Sequence, residues 1–383
     1  MSYLHCFPIE WDNFNQRVAK IEKRSKLFIA NAVQILQIFY FGVMTVILYN
    51  QYKTGCVYKL LPNTVMWLVT IMLYLWGMGA SLARKAGALL NTTIRFEEWL
   101  QGEFHEMEIL AKQNGGRSIT KRNHRNNILR RVLPFTNIMS PIMAMTRVRR
   151  LLKNPCSPAY LGYLVGYCSS CQEHLVPGDH RVSNLAKFIV LFVDAYHVVV
   201  HISKAYFLMF NVTMVGTGCM LDYLDILGRM GSPISHVSLK TRIRLYRCLQ
   251  ILEKQMNHTL STRVIPTILV VAPIMQVFCT FVLIKLSQYL PSEGFLTYPY
   301  IILICFTVCM VFETFAAQLF VKSGQQYSDW LKESGLTKRN QKRIRSLQPI
   351  RIKVGSNFID RGTALVTQDF CINQTVSLLL IKF

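Results

Sequence analysis

Two stretches of this sequence, Leu27 to Tyr49 and Thr64 to Ala83, run without a charged residue. Each has the length a helix rising about 1.5 Å per residue needs to cross a hydrocarbon core of about 30 Å. Such blocks leave the backbone one way to satisfy its polar groups, which is to pair them within the segment. Val264 to Ile284 is also charge-free, and Leu296 to Val321 holds only Glu313. Phe188 to Met214 is long but contains Asp194, His197, His201 and Lys204. Val132 to Thr146 is short and contains Pro134 and Pro141, although Arg130, Arg131 and Arg147 can snorkel to the interfaces and lengthen it. A last apolar run lies within Gly355 to Phe383, giving seven spans in all. The expected fold is an all-α membrane protein with seven transmembrane helices. A length of 383 residues would suit two or three soluble domains, but 51% of the residues are hydrophobic and clustered in blocks, so the membrane reading takes precedence.

Charge decides the orientation. Lys and Arg outnumber Asp and Glu by 43 to 20. In a soluble chain that excess would point to nucleic acid; here it sorts between loops. Segments 1–26, 84–131, 215–263 and 322–353 together hold 31 Lys and Arg, whereas 50–63, 147–187 and 285–295 hold 9. Cytoplasmic loops collect positive charge, so the N-terminus is expected in the cytoplasm and the C-terminus outside, with long helical extensions on the cytoplasmic side. The chain then divides into a cytoplasmic N-terminal segment (1–26), a six-helix bundle with cytoplasmic extensions (27–321), a basic cytoplasmic segment (322–354) and a terminal helix (355–383). No cleavable leader is expected, because the first apolar run is too long, starts too late and lacks a small-residue cleavage pattern.

Between the fourth and fifth spans, Ser238 to Leu260 reads as an amphipathic helix. Leu245, Leu249, Leu252 and Met256 share one face while Arg244, Arg247 and Lys254 fall largely off it. It should continue into the fifth span with an interruption near Pro266. The KRNQKRIR run within Lys322 to Lys353 reads as a solvated face beside anionic lipid headgroups, and no aromatic platform accompanies it to suggest nucleic acid. Of the 11 cysteines, Cys56, Cys156, Cys168 and Cys171 fall in segments expected outside, where disulfides are permitted. Cys168 and Cys171 resemble half of a zinc or redox site, but no second pair completes it; a loop disulfide stays open. Asn91, Asn211, Asn257 and Asn373 begin glycosylation sequons, all in segments expected inside or within the membrane, where no glycan is added.

The fourth span is the most unusual. Asp194, His197, His201 and Lys204 are spaced by 3, 4 and 3 and so share one narrow stripe. A charge at the bilayer centre costs at least about 2.5 kcal/mol on insertion scales, so the stripe should face protein or water. It could form a polar wall of a ligand cavity, a proton relay, or ordinary interhelical hydrogen bonds; a metal site would need further ligands that no histidine motif supplies. Trp67, Tyr74, Phe278, Tyr298 and Tyr300 lie near the expected exterior ends. They suit a pocket for small organic molecules and equally an interfacial aromatic belt. No nucleophile elbow, P-loop or dinucleotide fingerprint is present, so no enzyme activity and no cofactor is expected.

In the last segment, Gln368, Ile372, Thr375, Leu379 and Phe383 recur at helical spacing, with Asn373 and Gln374 on other faces. Amide groups at membrane depth need partners, so this helix should be enclosed by other helices or by copies of itself. The segment ends TVSLLLIKF, which matches the spacing of a TYxxxxxQF signature at Thr375 and Phe383, with Val376 in place of Tyr and Lys382 in place of Gln. With the LYRCLQILEKQMN helix before the fifth span and the RIKVGSNFIDRGTALV approach to the last, the chain resembles the arthropod gustatory and odorant receptor superfamily.

That resemblance implies a plasma-membrane, ligand-gated, nonselective cation channel of four subunits, identical or mixed with a co-receptor subunit. It also implies that a small organic tastant or odorant enters from outside among the second to sixth helices. The ligand-contacting set expected on this reading is Trp67, Tyr74, Asp194, His197, His201, Phe278 and Tyr298. The expected pore set is Gln368, Ile372, Thr375, Leu379, Lys382 and Phe383, and a lysine ammonium facing the pore would repel cations. Two other readings stand beside it. A G-protein-coupled-type receptor would place the basic loops outside, against the charge rule, and a transporter or membrane enzyme would use the Asp194, His197 and His201 stripe.

Overall fold

Along the first long helix, α1 (Arg24–Lys53), the buried positions are Ala30, Val33, Gln37, Tyr40, Met44, Ile47 and Gln51. They alternate by three and four residues and make one narrow seam. The remaining surface is apolar and open: Phe28, Ile35, Phe39 and Tyr49 are each more than half exposed. In water such a surface would drive aggregation; in hydrocarbon it is what a lipid-facing span requires. This computed structural model describes residues 9–12, 14–53, 57–77, 80–113, 184–230, 238–289 and 297–381, with four single positions between 142 and 149.

Helix α2 (Val57–Gly77) packs on α1, and α3 (Ala80–Gln113) runs on from it as a long, charged helix. The apolar block expected as one span at Thr64 to Ala83 is helical at each of its described positions, 64–77 and 80–83. Helix α4 (Asn184–Tyr206) passes through a π-helical segment, Phe207–Met214, into α5 (Val215–Met230). The helix thus continues 16 residues beyond the span expected to end at Met214. Helix α6 (Leu239–Leu260) starts where Ser238 Oγ accepts the Lys240 N–H, a capping bond.

Helix α7 (Val264–Lys285) follows after a turn at 261–263 and is itself π-helical over Thr267–Val271. Pro266 lacks an N–H, and the wider turns lie just beyond it. Helix α8 (Thr297–Leu331) has 35 residues, and the short α9 (Lys338–Arg345) turns the basic run into a helix that buries Ile344. Two small antiparallel hairpins complete the chain, β1 (Ile9–Asp12) with β2 (Arg17–Lys20) and β3 (Lys353–Val354) with β4 (Asn357–Phe358). The final helix is α10 (Thr363–Leu379).

Among the described residues, four helices are long and apolar enough to cross a membrane: α1, the Phe188–Met230 rod, α7 and α8. The fold is thus an all-α membrane architecture. Most of the third expected span, Val132 to Thr146, lies outside the described residues, as do Cys56, Cys156, Cys168 and Cys171.

The largest core runs along the long helices, on α8 from Cys305 to Trp330. Leu245, Leu249, Leu252 and Met256 of α6, the four residues expected on its apolar face, are buried there. Trp330 of α8, Ile344 of α9, and Ile350, Ile352 and Ile359 join them. Tyr246 donates to the Gln348 carbonyl at 2.9 Å and meets Trp330 edge-on at 5.6 Å. Asn257 works as a strand surrogate: its Nδ2 donates to Arg351 O at 2.9 Å and its Oδ1 accepts from Lys353 N at 3.0 Å. Asn91 does the same for Val18, with both bonds at 2.8 Å. Two of the sequon asparagines are therefore committed to holding a hairpin.

The β3–β4 hairpin turns through Gly355 and Ser356, and Gly355 has φ +58°. A left-handed residue at the first central position of a two-residue hairpin turn is where glycine is favoured. The terminal helix therefore begins at Thr363 rather than near Gly355, and its 17 residues span about 26 Å. Asp360 organises that start, accepting from the Gly362 and Thr363 amides and the Thr363 hydroxyl, while its own N–H donates to Thr363 Oγ1.

Candidate functional site

On α4 the stripe lies inward. Asp194, His201 and Lys204 are buried, and His197 is 9% exposed. Two bulky groups arrange it. The His197 ring stacks on Tyr40 of α1 at 3.8 Å with an interplanar angle of 10°, and its other side meets His201 edge-on at 4.1 Å. Tyr40 belongs to the buried seam of α1, so the heptad spacing that seals α1 against its neighbours also delivers the stacking partner. His201 has neither ring nitrogen hydrogen-bonded among the described residues. The stripe is thus a buried, polar, aromatic-walled strip in which the His201 ring nitrogens keep hydrogen-bonding capacity unused among the described residues.

The aromatic candidates separate into two places. Trp67 and Tyr74 are one heptad apart on α2 and flank Phe41 of α1, with ring centroids at 6.1 and 5.5 Å; Trp67 Nε1 also donates to Thr45 Oγ1 at 3.1 Å. Phe278 and Tyr298 lie elsewhere, in a cluster with Val65, Cys279, Phe281 and Val282 against which Leu378 and Leu379 of α10 pack. Tyr300 meets the Tyr206 hydroxyl at 3.2 Å. The chain therefore brings Phe278, Tyr298 and Leu379 together and His197 with His201, while Trp67 and Tyr74 form a stack of their own.

Helix α10 has two unlike faces. Ala364 and Cys371 are buried, and Thr367, Gln368, Thr375, Leu378 and Leu379 are half-buried against α7 and α8. This face is tied by polar bonds: Gln276 Nε2 of α7 donates to Gln368 Oε1 at 2.9 Å, and Thr367 Oγ1 lies 3.0 Å from a carboxylate oxygen of Glu313 in α8. Thr375 bonds back to the Cys371 carbonyl. The opposite face is open and carries Val366, Asp369, Ile372, Asn373, Val376, Ser377 and Leu380. Along it Asn373 Nδ2 donates to Asp369 Oδ2 at 3.0 Å and Ser377 Oγ donates to the Asn373 carbonyl at 2.8 Å, making a polar line at four-residue spacing.

Of the terminal-helix candidates, then, Gln368, Thr375 and Leu379 turn toward the bundle and Ile372 is on the open face. Lys382 and Phe383 lie outside the described residues. Tyr40, Gln276, Thr367 and Asp369 were not legible as site residues. The first three owe their place to cross-helix contacts, which no local period announces. Asp369 did carry a signal, being the only charge between Thr363 and Leu379.

No family model matches the chain, and no curated protein matches it in sequence. Solved structures that share its fold include two of one receptor. The insect olfactory receptor OR5 from Machilis hrabei in complex with eugenol superposes with a TM-score of 0.59 at 14% identity, covering 99% of this chain and 96% of that one. A second structure of the same receptor gives 0.58 at 13% identity, covering 98% and 93%. A likeness of that extent at that identity is a likeness of fold along nearly the whole chain.

Proposed function

We propose that this chain is a chemosensory receptor subunit, a ligand-gated nonselective cation channel of the plasma membrane in which the last helix of each of four copies, or of copies and a co-receptor subunit, lines a shared pore. One observation carries the reading: α10 is held on one side by Gln368 and Thr367 while its other side presents Asp369, Asn373 and Ser377 to open space. A carboxylate and an amide at that depth need water or protein, and a pore shared by copies supplies both. The fold likeness to an insect olfactory receptor supports the same reading and suggests a small phenolic or aromatic organic as ligand.

The sensing half is assigned to residues 27–321. Its candidate ligand contacts are Trp67 and Tyr74, Asp194 with His197 and His201, and Phe278 with Tyr298, whose cluster also touches α10 through Leu379. A ligand entering among these helices would press on the terminal helix through that cluster. The charge distribution supports a cytoplasmic N-terminus, with the large core around Trp330 inside and the C-terminal end of α10 outside.

Cells displaying the chain at their surface, alone or with a partner subunit, should pass a cation current when eugenol and related small organics are applied. Silence across a broad panel, with surface display verified, overturns the proposal.

A further inference from the structure

Where α6 meets the segment leading into α10, a cavity of about 510 Å³ opens, a size typical of small-molecule sites. Three cationic residues line it from two directions, Lys254 from α6 and Arg351 and Lys353 from the strand approach, together with the hydroxyl and amide groups of Ser346, Ser356 and Asn357. Among the described residues none of the three cations has a carboxylate within 4 Å. The lining is set in place beforehand. Asn257 holds the backbone at Arg351 and Lys353, and the Arg351 guanidinium lies over the Phe358 ring at 5.1 Å. The single acid in the wall, Glu253, is 8% exposed and accepts from Asn257 Nδ2 at 2.7 Å. Burial pushes its carboxyl above the usual range, and the positive charges of Lys353, Lys254 and Arg351 pull it back.

We infer that this cavity binds a polyphosphorylated polyol, either a soluble inositol phosphate or the headgroup of a phosphoinositide. Three convergent cations against one buried acid leave a positive surplus in a concave site, which distinguishes it from a solvated basic face. Guanidinium and ammonium groups together suit phosphate oxygens, and hydroxyl and amide groups suit the polyol. The inference goes beyond the channel reading and depends on it only for the side of the membrane. Occupancy ties α6 to the β3–β4 hairpin and so to the Asp360 turn from which α10 starts.

The test uses the purified full-length receptor and two probes: inositol hexakisphosphate in solution, and nanodiscs of phosphatidylcholine with or without phosphatidylinositol 4,5-bisphosphate. At least one probe should bind, with affinity falling steeply as salt rises. The Lys254→Gln, Lys353→Gln pair, both at exposed positions, should weaken binding at least tenfold. Binding of the soluble probe marks a free inositol phosphate as sufficient; binding only to the phosphoinositide discs marks the headgroup. The Lys240→Gln, Lys332→Gln pair removes equal charge at exposed positions outside the lining and should leave affinity within twofold. No binding of either probe overturns the inference, as does equal loss from both pairs. If the cavity pair lowers the melting temperature, Lys254→Gln alone carries the test, with at least a threefold loss expected.

Discussion

Lysine in place of Asp369 is expected to silence the cation current while leaving the chain folded and at the surface. Asp369 is exposed and, among the described residues, bonds along its own helix to Asn373, so the exchange leaves the Gln368 and Thr367 ties intact. A unit charge about 4 Å from a permeant cation contributes about 1 kcal/mol even at the dielectric constant of bulk water. Four copies around one axis would contribute several times that, and lysine reverses the sign at each of them. Salt screening reduces the swing, yet a fall in conductance of at least tenfold is expected at physiological ionic strength. Asp369→Asn removes attraction without adding repulsion and should give an intermediate conductance with weakened discrimination against anions. Currents of wild-type size and selectivity from the lysine variant, measured per channel, would remove Asp369 from the conduction path.

The largest loss of stability is expected at the other end of the molecule. Trp330 is 2% exposed and heads the fully buried side chains by volume. It meets Tyr246 edge-on, lies 5.8 Å beneath the Arg242 guanidinium, and so seals the junction of α6 with α8. Arg242 in turn makes a forked pair with Glu333 at 2.7 and 2.9 Å, with only 5% of its own surface exposed. Trp330→Ala should cost about 3–5 kcal/mol, from lost transfer energy and the cavity left behind. It would also leave one side of the buried guanidinium without its aromatic face. The melting midpoint of the detergent-solubilised receptor should drop by about 5 °C. Trp330→Phe keeps most of the volume and removes an indole N–H that has no acceptor among the described residues, so its cost should stay under about 1.5 kcal/mol. Equal losses for the two variants would show that volume at this junction is not what holds it.

The parts of this architecture that were legible beforehand are those written in local periods. Leu245, Leu249, Leu252 and Met256 are buried and Arg244, Arg247 and Lys254 exposed, as the spacing in α6 requires. The apolar blocks beginning at Leu27, Phe188 and Val264 each fall within a spanning helix, as do the described residues, 297–321, of the block beginning at Leu296. Two things were hidden for physical reasons. Helices that run on from an apolar block into more polar sequence, such as α5, lose the apolar signal while keeping the helix, so their ends cannot be read from hydropathy. The β3–β4 hairpin depends on Asn257, whose side chain reaches backbone groups more than ninety residues ahead, and that displaced the start of the last helix from Gly355 to Thr363.

The faces of α10 show the same division. Its alternation of polar and apolar residues signalled a helix that lipid alone cannot surround, but which face meets the bundle was set by Gln276 and Glu313 on other helices. Likewise the α4 stripe was visible as a period, whereas the ring that covers His197 comes from Tyr40, far away in sequence.

Whether the open side of α10 is wet is the most direct question to put to this protein. Asn373→Cys, placed on that side, should react with a charged, membrane-impermeant thiol reagent in intact cells, while Ile35→Cys on the apolar surface of α1 should not. Should Asn373→Cys resist that reagent as fully as Ile35→Cys does, and both react only with a lipid-soluble one, α10 faces lipid and the shared conduit does not exist.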